Sequence, residues 1–135
     1  MSRLYLADKS AYEQRRHSLS VEDLFNSLIE SKTLAACEIV ALEILYSARN
    51  LAEYDRVQND LEALTWLDVD VRALRRAREV QHKLARQGQH RLPLPDLIIA
   101  ATAERHGAVV LHYDKDFDLI AAVTGQPTQW VVAHN

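Results

Sequence analysis

The 135-residue chain is short of most features that would mark it as anything but an ordinary folded domain. It has one cysteine, Cys37, so no intramolecular disulfide can form, and a reducing compartment suits it. Three glycines and three prolines rule out collagen, linker arrays and low-complexity sequence. The glycines stand apart, at 88, 107 and 125, so there is no glycine-rich phosphate loop. The longest apolar runs, such as Leu97 to Ala101, fall far short of the ~20 residues of a membrane span. The amino terminus has no long apolar stretch of a signal peptide, which makes a cytoplasmic location the expectation. Neither sign of charge dominates. Sixteen Lys and Arg stand against nineteen Asp and Glu, a net −3 that argues against a generic nucleic-acid coat. With 48% hydrophobic residues and no internal boundary, the chain reads as a single domain over 1–135, able to bury about two-thirds of its unfolded surface.

What is present is alternation. Arg3 to Ala7 reads as a first strand ending at Asp8. Ser20 has the look of an N-cap, before Val21, Leu24, Phe25 and Leu28 at helical spacing. Thr33 to Ala36 is a second strand, Glu38 to Ala48 a helix, and Asn50 caps another over Leu51–Ala63. Trp66 to Val69 is a third strand. Asp70 caps a long helix ending at Gly88. Leu92 to Pro95 reads as a stiff loop and Asp96 as the opening of a helix to His106. Ala108 to Leu111 is apolar throughout, as strands covered on both faces are. A short helix, Phe117–Val123, and a last strand, Trp130–Val132, complete the set. Strands alternating with helices predict an α/β fold: a parallel sheet of four to five strands between helices, every helix antiparallel to its strands.

This topology gathers acids. Ligands of open α/β sheets bind at the carboxyl ends of the strands. Asp8 ends strand one, Asp114 follows strand four with Asp116 just behind, and Asp96 opens the helix leading into strand four. Glu43 lies about 7 Å along the helix after strand two, on its apolar stripe. Taken singly, Asp96 reads as a helix cap and Asp8 as a turn residue. Taken together, they would repel by about 4 kcal/mol for each pair 4 Å apart at an effective dielectric of 20. No stability argument gathers them, and no His/Cys cluster competes for a softer metal. An all-carboxylate set suits Mg2+ or Mn2+, which can activate a water for in-line attack on a phosphodiester.

The motifs that carry these acids are Leu6-Ala7-Asp8-Lys9-Ser10, Val40-Ala41-Leu42-Glu43-Ile44-Leu45-Tyr46-Ser47, Pro95-Asp96-Leu97-Ile98-Ile99-Ala100-Ala101-Thr102-Ala103 and His112-Tyr113-Asp114-Lys115-Asp116-Phe117. In this order and spacing the chain resembles the PIN-domain ribonucleases, specifically the VapC toxins of bacterial toxin–antitoxin pairs. The resemblance implies a Mg2+- or Mn2+-dependent endoribonuclease acting on RNA such as transfer or ribosomal RNA. It also implies a homodimer and inhibition by a VapB-type antitoxin. It assigns Asp8, Glu43, Asp96, Asp114 and Asp116 to the catalytic set, with Asp8, Asp96 and Asp114 on the metal and Ser10 in support. Lys9 and His112 depart from it, standing where the family often has a hydroxyl residue.

Between Asp70 and Leu94, Arg72, Arg75, Arg76, Arg78, Lys83, Arg86 and Arg91 against Asp70 and Glu79 leave a net +5 on an otherwise acidic chain. Arg72, Arg76 and Lys83, with Lys9, Arg15 and Arg16 near Asp8, are candidate RNA contacts; a solvated helix face is the plainer reading of the stripe. Trp66 and Trp130 read as core. His82, His90, His106 and His134 have no ligand spacing. Two other functions fit the fold class. A non-catalytic binding module gains nothing from acids facing phosphate. A phospho-acceptor receiver domain needs a second acid beside Asp8, where this chain has Lys9.

Overall fold

The computed structural model describes residues 3–132. His134 lies outside the described residues. Five strands, β1 (Tyr5–Ala7), β2 (Leu34–Ala36), β3 (Thr65–Trp66), β4 (Val109–His112) and β5 (Thr128–Trp130), form one sheet in the order β3-β2-β1-β4-β5. Every pairing is parallel, so all carboxyl ends lie along one edge. The inner strands β2 and β4 are buried at every position, which is why they read as continuous apolar runs rather than alternating ones. Helices α1 (Lys9–Gln14), α2 (Leu19–Glu30), α3 (Glu38–Tyr46), α4 (Leu51–Glu62), α5 (Val71–Ala85), α6 (Leu94–Arg105) and α7 (Asp116–Thr124) cover it. One core cluster joins Leu6, Val110, Val80, Leu84, Ile99 and Phe117. Another sets Phe25, Val21 and Leu28 of α2 against Leu34 and Leu111.

Local chemistry accounts for most boundaries. Asn50 accepts the Glu53 N–H at 2.8 Å and Asp70 the Ala73 N–H at 2.8 Å, as expected of caps. Gly88 takes a φ of +70°, and the Gln89 N–H reaches back to the Leu84 carbonyl at 2.8 Å, closing α5.

Several expectations need correcting. The cap of α2 is Ser18, whose Oγ accepts the Val21 N–H at 3.3 Å, not Ser20. The short helix α1 has no counterpart in the sequence reading, although Asp8 carries its cap signal. β3 begins one residue early and ends at Trp66, with the Leu67 N–H still donating to the Ala36 carbonyl at 2.8 Å. β5 likewise sits two residues earlier than expected. Trp66 is 36% exposed rather than core. Helix α6 starts at Leu94, inside the supposed stiff loop, because a proline in the first turn needs no N–H partner. Asp96 therefore sits in the first turn and its side chain caps nothing.

The largest correction is the direction of α5. Asp70, at its start, pairs with Arg105 at the end of α6 (3.1 Å), and Arg76 pairs with Glu104 (2.7 Å). Further along α5, Ala77 and Gln81 face Leu94 and Leu97. The two helices form an antiparallel hairpin. Since α6 runs against the strands, α5 runs with them, contrary to the expectation for every helix.

Candidate active site

The sheet's carboxyl edge delivers the acids. Asp114 follows β4, Asp116 opens α7, and Asp96 lies in the first turn of α6. One carboxylate oxygen from each lies within 4.8 Å of the others. Asp96 is buried, and its Oδ2 has no hydrogen-bond partner. Among the described residues no cationic side chain forms an ion pair with any of the three. Burial, then the charges of Asp114, Asp8, Asp116 and Glu43, push the Asp96 carboxyl up to about 8. Asp116 is raised by burial and by Asp114, with Lys115 opposing.

Asp8 and Glu43, expected in the same site, lie within the electrostatic reach of Asp96 but outside this tightest group of three. Asp8 is turned toward its own helix. Its Oδ1 accepts the Ser10 hydroxyl at 2.6 Å and the Ala11 N–H at 3.3 Å. Burial raises its carboxyl to about 6 against those bonds, with Asp114 adding to the rise. Asp116 thus stands in the close group where the sequence reading put Asp8. Glu43 is half-buried near Lys9; burial raises its carboxyl and Lys9 opposes the rise. The apolar stripe assumed for α3 is not a core face throughout, because Leu42 and Tyr46 are 61% and 88% exposed.

Two supporting contacts escaped the sequence reading. The Ser10 Oγ also accepts the Tyr113 N–H at 2.8 Å, tying the end of β1 to the loop after β4. His112 is fully buried between Phe117 and Trp130, and its Nδ1 accepts the Asp114 N–H at 3.2 Å. That bond places the ring proton on Nε2, and burial lowers the imidazole pKa, so the ring is a neutral acceptor holding the Asp114 turn. The Asp116 N–H in turn donates to Asp114 Oδ1 at 2.9 Å. Ser10, already assigned in support of the site, and His112, two residues before an acid, were the available signals.

The basic candidates divide. Lys9 and Arg16 line a cleft beside α1. Arg15 is committed to Glu22 by two contacts (2.9 and 3.2 Å) and lies 4.8 Å from the Phe25 ring. Arg76 is held by Glu104 and Glu79, and with Arg72 it sits at the α5 end away from the acids. Lys83, in the last turn of α5, lies toward the acidic edge.

A cluster of hard oxygen donors with an orphaned buried oxygen, and no ion pair to any of the three acids among the described residues, fits a small divalent ion rather than a softer one. The PIN domain family matches residues 10–123, spanning Glu43, Asp96, Asp114 and Asp116. A ribonuclease VapC51 of Mycobacterium tuberculosis is 45% identical over 132 residues, covering 98% of this chain and 96% of its own. A ribonuclease VapC21 of the same species is 43% identical over 135 residues, with 98% and 97% covered. The fold is shared with VapBC from Salmonella typhimurium bound to DNA, at TM-score 0.77 and 20% identity over 97% of this chain and 100% of that one. No helix among the described residues is long and apolar enough to cross a membrane. The chain belongs to the PIN-domain family and, within it, to the VapC ribonucleases.

Proposed function

We propose that the chain is a Mg2+- or Mn2+-dependent endoribonuclease, the toxin of a toxin–antitoxin pair, working in the cytoplasm as a homodimer and held inactive by a VapB-type antitoxin. The observation that carries the reading is the buried Asp96 Oδ2, left without a hydrogen-bond partner on a residue whose carboxylate groups with those of Asp114 and Asp116. Such an oxygen costs several kcal/mol in a monomer that gains nothing from it. Similarity over nearly the whole chain to proteins named as VapC ribonucleases supports the same activity here.

Asp96, Asp114 and Asp116 are the residues that would hold the ion, with Asp8 and Glu43 beside them. When bound, a divalent ion neutralises these acids, lowers the pKa of an attacking water and offsets the charge that develops on the phosphodiester. The chain's own part is to fix the donors. Ser10 holds Asp8 and the Tyr113 backbone at once. His112 holds the Asp114 backbone. Lys9, directly after Asp8, offers a charge to the phosphate. In-line attack by water leaves a 5′-phosphate and a 3′-hydroxyl.

The test is cleavage of a labelled, partly single-stranded RNA by the partner-free chain with Mg2+ or Mn2+. Asp96→Asn or Asp114→Asn should lose more than ~100-fold in rate, beyond the 10–100-fold that outer partners of a metal site cost. Cleavage at full rate by both variants defeats the assignment.

A further inference from the structure

Tyr113 is the first residue beyond β4 at the carboxyl edge of the sheet and the chain neighbour of Asp114. His112 before it is fully buried, so the next residue of an extended chain points outward, and Tyr113 is 40% exposed. Its backbone is fixed to the acidic site from two sides. The Tyr113 N–H donates to Ser10 Oγ at 2.8 Å, and the Ser10 hydroxyl donates to Asp8 at 2.6 Å. The ring is thus carried by the same turn that carries Asp114, with the two Cα atoms ~3.8 Å apart.

The ring is also braced. It meets the Trp130 ring at 84°, with centroids 5.6 Å apart. Trp130 ends β5 in register with His112, and its Nε1 donates to the Asp118 carboxylate at 3.1 and 3.2 Å. In an edge-to-face pair one ring offers an edge and the other a face, so at least one face of Tyr113 stays clear of Trp130 whichever way the pair is arranged. Asp114 and Lys115, which follow it in the chain, and Asp118 on Trp130 are charged and none is buried. Tyr113 is therefore a lone aromatic face in polar surroundings, not the contiguous apolar patch that a protein partner covers. An oriented, solvent-open ring next to a site for a phosphodiester suits a nucleobase, since every base has a π-face to lay on it.

We infer that Tyr113 is a base-stacking residue: the base of a nucleotide flanking the scissile phosphate lies on its open face, with Trp130 as the brace. The inference rests on the ribonuclease reading and adds to it a contact to a base, where the acids address only the phosphate. Stacking of this kind tolerates any base but needs one drawn out of a duplex.

The test uses the full chain and a short single-stranded RNA in which one abasic nucleotide is walked along the sequence. Binding is followed in EDTA at low salt by fluorescence anisotropy, and cleavage with Mn2+. At one position next to the cut, losing the base should raise the parent's Kd and KM about tenfold and leave kcat within twofold. Tyr113→Leu should bind intact RNA about tenfold more weakly and be indifferent to the abasic position; Tyr113→Gln repeats the comparison with a second non-aromatic side chain. Tyr113→Phe, which keeps the ring, should retain the abasic penalty. A ring that only packs on Trp130 would change the melting temperature without removing the dependence on one base. If no position carries a penalty, or if the non-aromatic variants pay it in full, the inference is overturned, and cleavage by the parent then leaves the ribonuclease reading standing. If those variants lose affinity for an antitoxin peptide and not for RNA, the ring belongs to a protein partner and the inference falls. If the parent shows the Tyr113-dependent penalty but never cuts, stacking stands and the ribonuclease reading fails.

Discussion

The acidic centre makes a prediction about stability that is independent of any assay of RNA. In the absence of metal, Asp96 is a liability. Burial and the surrounding carboxylates raise its carboxyl from 3.8 to about 8. The folded chain therefore holds that proton more tightly than the unfolded chain does. Stability from this group is complete below pH ~4 and is lost as pH rises toward ~8. Roughly three units separate the unfolded value from neutrality, worth about 4 kcal/mol at 1.36 kcal/mol per unit. Solvent reaching the open side of the cluster halves this, leaving about 2 kcal/mol. Asp96→Asn removes the penalty at pH 7.5 and changes little near pH 4. In EDTA at pH 7.5 the variant should melt about 6–10 °C above the parent, and the gap should close on acidification. Excess Mg2+ or Mn2+ should raise the parent's Tm by linkage and leave the variant's in place. Differential scanning fluorimetry at the two pH values, with EDTA or with metal, measures all of this. A metal-free variant that melts below the parent at pH 7.5, together with a parent indifferent to both ions, would refute the reasoning.

Three other outcomes are expected. Ser10→Ala removes the hydroxyl shared by Asp8 and the Tyr113 N–H, and RNA cleavage should fall 10–100-fold while the far-ultraviolet circular dichroism stays unchanged. Arg76→Ala breaks the two-point contact of α5 with Glu104; it should cost about 1 kcal/mol in a urea melt, with the cleavage rate per folded molecule retained because this end of α5 lies away from the acids. Phe25→Ala empties a fully buried position beneath Tyr12 and should cost about 3–5 kcal/mol in the same melt.

The alternation of strands and helices was legible because buried parallel strands are short and apolar throughout, and because Asn50 and Asp70 cap in sequence-local ways. Errors fell where neighbours decide. Ser18 and Ser20 are both plausible caps by type, and only the turn of chain after α1 chooses Ser18. Pro93 and Pro95 look like loop residues until α6 takes Pro93 as its cap position and Pro95 into its first turn. Leu42 and Tyr46 share a helical period with core positions yet face outward, since periodicity defines a stripe and not what covers it.

The gathering of Asp96, Asp114 and Asp116 followed from residue order alone, because parallel topology brings strand ends and the starts of returning helices to one edge. Residue order could not say which acids stand closest. Asp8 is drawn to cap α1 through Ser10 and Ala11, while Asp116 reaches the group as the first residue of α7, and both depend on side-chain hydrogen bonds made after the chain has folded. The direction of α5 is of the same kind. Helical spacing marks its apolar face, and only packing against α6, with Arg76 on Glu104 and Asp70 on Arg105, sets which end meets the acids. Local propensity and period were written in the chain; orientation and proximity, which are free energies of contact between distant segments, were decided by the tertiary structure.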